Sequence, residues 1–244
     1  MIPKLIHYCW FGQGQMPTKA LYCIDTWKKY LPDYQLKQWN EDTFDLNSVL
    51  YAQQAYQARK FAFVTDYVRL YALFTEGGVY MDTDVEVLKS LDTLLSLPGF
   101  SGFESDTEIP TGIMAAEVGN LWAEEQLAYY TNRPFIKPDG SINYRTNVEI
   151  ISEKMQQEGF ELKNSYQVYK NCMHIFPKDY FCPKNRTGEI ILTPNTYCIH
   201  HFEGSWQPPQ LKLKKFFFQK IVGSRLTKWL VNTKRTWRNK LTRM

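Results

Sequence analysis

The chain has 244 residues, 44% hydrophobic, 16% aromatic and 22% charged, with a formal net charge of +4. That length suits one large α/β domain, alone or with an appendage, and no run of about eighteen apolar residues is present that could span a bilayer as a helix. The charge is uneven: residues 211–244 hold eleven Lys or Arg and no Asp or Glu, which leaves an acidic body near −7 and a strongly basic tail.

Met1 runs directly into the strand-like IPKLIHYCWF without a basic leader or a small-residue cleavage site, a pattern that predicts a cytoplasmic protein. The five cysteines, Cys9, Cys23, Cys172, Cys182 and Cys198, form no CxxC pair and read as reduced core residues. Residues 2–11 predict a first strand. The Gly12-Gln13-Gly14 turn lacks the third glycine of a dinucleotide fingerprint and runs into Pro17. A helix is expected over 18–30, closed by Leu31-Pro32-Asp33, and a second strand over 34–39. Strand, helix, strand in this order favours parallel pairing through a crossover helix. A further helical stretch covers 48–60.

The next segment, FAFVTDYVRLYALFTEGGVYMDTDVEVL from Phe61 to Leu88, organises the chain. Tyr67, Leu70, Tyr71 and Phe74 form a helical stripe that Gly77 and Gly78 terminate. Asp66 and Arg69, three apart, share one helix face, and an ordinary surface ion pair would account for them. Val79-Tyr80-Met81 suits a short buried strand. Asp82 and Asp84 follow; if the strand stays extended, both point the same way. Two adjacent carboxylates with no paired lysine repel each other unless a cation lies between them, so the motif reads as a divalent metal site. Beyond it, a helix is expected over 91–97, a strand over 112–114, and helices over 120–130 and 146–159. Short strands are expected within 166–183 and 190–194, and the body closes with CIHHFEGSW at 198–206. A histidine joined to the two aspartates suits Mn²⁺ or a similar first-row ion better than Ca²⁺, which prefers oxygen ligands alone; Mg²⁺ is the alternative cofactor.

The runs IPKLIHYCWFG and FVTDYVRLYALFTEGGVYMDTDVEV and the closing HHFEGSW resemble the D-x-D sugar transferases of glycosyltransferase family 32. That group includes bacterial capsule and O-antigen transferases and Golgi mannosyltransferases. The resemblance implies a GT-A fold, a Rossmann-like mixed sheet flanked by helices over residues 1–210. It also implies transfer of a hexose from a nucleotide sugar with retention of anomeric configuration, UDP-hexose being favoured and GDP-mannose the alternative donor. By this resemblance Asp84 binds the metal, Asp82 touches the metal or the donor ribose, and His201 of the H-x-x-x-S-W pattern is the third metal ligand. Ser205 and Trp206 resemble the groups that hold the diphosphate, Asp66 and Arg69 those that hold the ribose and the transferred sugar. Trp10 stands where the base is met, and the backbone of Gly112 and Ile113 lines the sugar pocket. Thr146 and Asn147 fall near a family Thr-Gly-Pro segment that reads Thr-Asn-Val here. Glu104, Asp106 and Glu108 are candidates for acceptor contacts.

Two other readings compete. A sugar-nucleotide or glycan-binding module would keep the fold without turnover. A D-x-D phosphatase or phosphomutase would need a later Asp-Asp or GDxxxD motif, and neither follows Asp84. In the tail, Phe217, Ile221, Trp229 and Leu230 can gather on one side of a broken helix among basic residues, which suits an anionic membrane surface. Nucleic acid is the rival partner for such a composition, and a solvated basic helix packed on the acidic body is the third reading; the membrane is favoured because the acceptors implied by the resemblance are lipid-linked. The expected location is the inner face of the membrane.

Overall fold

The structure is a computed structural model that describes residues 1–185 and 188–203. Its main unit comprises residues 1–183 and 192–202. Lys184–Ile191 is a separate short excursion, with an isolated antiparallel bridge between Lys184 and Ile190. The domain division expected at residue 210 and the whole basic tail lie outside the described residues. Among those described, no helix is long and apolar enough to cross a membrane.

The first crossover forms as its sequence requires. Strand β1 (Leu5–Cys9) pairs parallel with β2 (Gln35–Trp39), and α1 (Thr18–Tyr30) joins them. Ala20, Cys23, Ile24 and Trp27 make the buried stripe of α1 at helical spacing, and Pro32 ends the helix because it has no N–H to continue it. Helix α2 (Leu50–Gln57) follows, and then α3 (Phe61–Glu76). The predicted stripe understates α3. Phe63, Val64, Asp66, Val68, Leu70, Ala72 and Leu73 are all buried, so it is a central helix covered on several sides.

Gly77 and Gly78 stop α3 with φ of +64° and +99° and turn the chain into β3 (Gly78–Met81). A Cβ at Gly78 would stand 2.5 Å from the Leu5 carbonyl oxygen. The corner is pinned by buried His7, whose Nε2 donates to the Gly77 carbonyl at 2.7 Å while Nδ1 accepts from Trp39 Nε1 at 3.0 Å. Gly78→Ala therefore combines a left-handed backbone with a backbone clash, and is expected to cost at least about 1–3 kcal/mol. Urea denaturation followed by circular dichroism measures it as a lower midpoint at unchanged slope.

The sheet is mixed, in the order β2-β1-β3-β6-β5-β8-β7. Here β5 is Gly99–Gly102, β6 Ile113–Ala116, β7 Gln167–Tyr169 and β8 Met173–Phe176. Strand β3 runs parallel to β1 and antiparallel to β6, and β5 runs parallel to β8. Alternation along the central strands feeds two cores. Tyr80 and Met114 point to the layer of α2, α3 and α4 (Leu121–Ala128), whereas Val79, Met81, Ile113 and Ala115 point to the opposite layer with Ile24 and Trp27 of α1. Helices on both faces of a mixed sheet are the architecture expected of a GT-A fold. Helix α5 (Asn147–Gln157) starts with a capping box, Thr146 and Glu149 satisfying each other's backbone N–H groups. A short α6 (Lys178–Phe181) follows β8.

Three expectations change. Residues 91–97 form only a single 3-10 turn, Asp92–Leu94, because the chain is pulled down by buried Leu91, Leu94 and Leu95 and stopped by Pro98. No strand forms at 190–194, where Ile190, Ile191 and Leu192 are exposed. The strand at Met81 is not continuous past the motif. A turn separates it from β4 (Val85–Val87), which pairs antiparallel with β9 (Cys198–His200) in a second, two-stranded sheet.

Candidate active site

The Asp82–Asp84 turn is held from three sides. The Asp82 N–H donates to the Gly112 carbonyl at 2.8 Å, and the Val85 N–H donates to the Asp82 carbonyl at 3.0 Å. Helix α1 grips the strand that follows: Trp27 Nε1 donates to the Val85 carbonyl at 2.7 Å, and the Val87 N–H donates to Thr26 Oγ1 at 3.0 Å. The His201 N–H donates to the Asp84 carbonyl at 3.0 Å, so β9 closes the turn from the far side. The motif thus sits on two sheets and a helix, which is how a turn is made rigid enough to present ligands.

The side chains of this turn are divided in function. Asp82 Oδ1 accepts from Tyr80 Oη at 2.7 Å and pairs with Arg69 Nη2 at 3.2 Å. Its other oxygen, Oδ2, faces His200 Nε2 at 3.8 Å, and Asp84 Oδ1 lies 3.4 Å from the same nitrogen. One ligand atom from each of Asp82, Asp84 and His200 falls within 4.8 Å of the others. Two carboxylates and an imidazole at this spacing fit Mn²⁺ or Mg²⁺ as donors. Gly112 makes room for them: a Cβ there would stand 3.0 Å from the His200 ring and 3.1 Å from Asp82 Oδ2.

The structure therefore places His200, not His201, beside the aspartates. The register pairs Val85 with His200 and Glu86 with Ile199. Because side chains alternate, His201 shares the Glu86 side of this small sheet, and its Nε2 contacts Glu86 Oε2 at 2.7 Å. Glu86 also accepts from Tyr22 Oη at 2.7 Å. His201 thereby helps tie β4 and β9 to α1.

Asp66 and Arg69 are not a surface pair. Asp66 is 8% exposed, and the Arg69 side chain 12%. Arg69 Nη2 bridges Asp66 Oδ1 at 3.5 Å and Asp82 Oδ1 at 3.2 Å, with its guanidinium over the Tyr80 ring at 4.7 Å. Burial works against the Arg69 charge, but the carboxylates outweigh it and hold the group protonated. Asn147 closes the other side of Asp66. Its N–H donates to Asp66 Oδ2 at 3.3 Å and its Nδ2 to the Asp66 carbonyl at 3.1 Å. Burial, opposed by Arg69 and reinforced by Asp82, pushes the Asp66 carboxyl up to about 6. Burial likewise pushes Glu104, beside His200, up to about 7, with Asp82 and Glu108 adding to it. His200 moves well above its usual value: burial would lower it, and Asp84 and the neighbouring carboxylates reverse that. Shifted groups gathered beside the two aspartates make this the candidate functional site.

Trp10 lies just past β1, its Nε1 donating to the Gly14 carbonyl at 2.6 Å. The following loop borders a cleft of about 350 Å³ lined by Gly12, Gln13, Tyr56, Gln57, Arg59 and Phe61. Ile113 is buried in β6. Ser205 and Trp206 lie outside the described residues. Sequence reasoning missed His200, Tyr80 and the placement of Glu104. Tyr80 was open to inference, since it stands two residues before Asp82 on an extended strand.

Residues 17–100 match the family model of a glycosyltransferase sugar-binding region containing a DXD motif. Inositol phosphoceramide mannosyltransferase 3 of Schizosaccharomyces pombe is 28% identical over 131 residues, 49% of this chain and 34% of the relative. The chain thus spans about a third of the length of the curated relative it matches. Among solved structures, PaToxG glycosyltransferase is similar at 20% identity, with a TM-score of 0.49 over 65% of this chain and 70% of that one. The galactosyltransferase LgtC, in complex with donor and acceptor sugar analogs, is similar at 14% identity, with a TM-score of 0.43 over 82% of this chain and 87% of that one. Residues 17–100, which contain both aspartates of the motif, are thus similar to the glycosyltransferase sugar-binding region that carries a DXD motif.

Proposed function

We propose that this chain is a metal-dependent, retaining glycosyltransferase that moves a hexose from a nucleotide sugar to a lipid-linked glycan in cell-surface polysaccharide synthesis. The observation that carries the reading is the convergence of Asp82 Oδ2, Asp84 and His200 beside the buried Arg69. A divalent cation bound there supplies Lewis-acid stabilisation to the departing nucleoside diphosphate. The protein's own part is positioning. Arg69 and Tyr80 fix one oxygen of Asp82 so that the other is aimed at the site, and Asn147 and Arg69 fix Asp66 at its edge. Acceptor attack needs orientation more than a strong base, because a sugar losing its leaving group is already electrophilic. The occupied Oδ1 also argues against Asp82 as the nucleophile of a phosphatase.

UDP-hexose is the favoured donor. A mannosyl donor such as GDP-mannose is the second reading, supported by the mannosyltransferase relative, whose name also points to a lipid acceptor. A panel of nucleotide sugars assayed for Mn²⁺-dependent hydrolysis tests the proposal. Release of UDP from one UDP-hexose, abolished by EDTA, is expected. Release of GDP instead would reassign the donor, and failure of every nucleotide sugar to turn over would leave the binding-module reading in its place.

The membrane part of the proposal rests on the composition of residues 211–244. Each Lys or Arg near an anionic surface contributes about 1 kcal/mol. The full chain is therefore expected to sediment with anionic vesicles and not with neutral ones, less so at high salt. Truncation after Gln210 should abolish sedimentation while leaving donor hydrolysis in place.

A further inference from the structure

One buried polar atom of the ligand cluster has no hydrogen-bond partner, Nδ1 of His200. The ring itself is fixed. The Phe202 ring covers it at a centroid distance of 4.2 Å, and Gly112 lies against its edge so closely that a Cβ would stand 3.0 Å from Cε1 and Nδ1. With Nε2 turned to Asp82 and Asp84, Nδ1 is turned to Glu104, whose Oε2 lies 3.8 Å away. Glu104 lies two residues past the end of β5, and its backbone is held. Its N–H donates to the Glu108 carbonyl at 2.8 Å, and its own carbonyl accepts from Cys182 Sγ at 3.5 Å.

A neutral imidazole has one N–H and one lone pair. If Nε2 gives its lone pair to a cation, the proton must sit on Nδ1, and a buried N–H without an acceptor is costly. The Cys182 thiol also neighbours the ring, but its S–H is directed at the Glu104 carbonyl and its sulfur is only a weak acceptor, which leaves the Glu104 carboxylate as the stronger acceptor beside Nδ1. We propose that Glu104 is a positioning residue whose carboxylate accepts a hydrogen bond from the Nδ1–H of His200 and so fixes the tautomer that presents Nε2 to the Asp82–Asp84 pair. The gap of 3.8 Å exceeds a hydrogen bond. The Glu104 side chain is 24% exposed and has the freedom to close it or to bridge it through one water. The inference rests on the proposed metal site, and Glu104 acts there through His200, as outer partners of metal-bound histidines do.

The test is a Mn²⁺ titration followed by electron paramagnetic resonance on full-length wild type, Glu104→Ala, Glu104→Gln, Asp84→Ala and His200→Ala. Glu104→Ala is expected to weaken Mn²⁺ binding about 10- to 100-fold. Glu104→Gln, whose amide oxygen still accepts from Nδ1, should remain within about threefold of wild type. In the Mg²⁺-loaded protein, the ¹⁵N shifts of His200 should report Nδ1–H in wild type and Glu104→Gln and a tautomer mixture in Glu104→Ala. If Glu104→Ala does not fold, Glu104→Met, which fills the same space without an acceptor, takes its place. Equal losses in the Ala and Gln variants would reduce Glu104 to a through-space charge and overturn the proposal. So would wild-type binding in both while His200→Ala loses the ion. Wild-type binding in Asp84→Ala and His200→Ala would remove the metal site itself, and the inference with it.

Discussion

Asp84→Ala is expected to abolish sugar transfer while leaving the protein folded. Asp84 contributes a carboxylate oxygen 3.4 Å from His200 Nε2, and without it the turn stays anchored to β9 through the Asp84 carbonyl, which accepts from the His201 N–H. Losing the side chain removes a donor from the proposed cation site and one attraction to His200, but also one repulsion toward Asp82. Stability should change little. The chemical step should suffer far more, because Lewis-acid stabilisation of the leaving diphosphate amounts to several kcal/mol. At 1.36 kcal/mol per tenfold, that is a fall of about a thousandfold or more in kcat. Wild-type enzyme in EDTA should resemble the variant. A variant that kept wild-type turnover in the presence of chelator would remove the metal from the account.

His200→Ala should be nearly as damaging, and His201→Ala far milder. His200 is buried at the cluster, and its loss takes away the only nitrogen donor there among the described residues. His201 instead contacts Glu86 on the other side of the two-stranded sheet. Removing it leaves Glu86 its bond from Tyr22, and because the pair is largely covered, at 11% and 15% side-chain exposure, the loss falls on stability, about 1–3 kcal/mol, and not on the ion. The measurement is Mn²⁺ affinity for the two variants side by side, with thermal unfolding as the control. A more than tenfold loss is expected for His200→Ala and a change within about twofold for His201→Ala. The reverse order would restore His201 as the ligand.

That exchange of neighbours shows where sequence reasoning stopped. The D-x-D pair, the helix over 18–30 and the glycine stop before β3 were legible because each depends on local chemistry: apolar spacing, a proline, a positive φ. The choice between His200 and His201 depends on register, and the register is set by pairing between β4 and β9, two three-residue strands more than a hundred positions apart. Strands that short carry almost no periodicity of their own. Asp66 and Arg69 were legible as sharing a face, but not as buried, because helical spacing says which residues align and not what covers them. Their burial comes from Asn147 at the start of α5 and Tyr80 on β3, both distant or hidden by alternation. Glu104 reached the site because β5 lies beside β6 in the sheet and so delivers residue 104 to the His200 ring, against which Gly112 of the loop before β6 also lies.

The most direct test of the account is a crystal of the protein grown with Mn²⁺ and a nucleoside diphosphate, with diffraction recorded at the manganese absorption edge. The account predicts one strong anomalous peak within about 2.0–2.3 Å of a carboxylate oxygen of Asp84 and of His200 Nε2, with the diphosphate on its open side. A nucleotide bound with no manganese between those side chains, or a manganese held at His201 and Glu86, would contradict it.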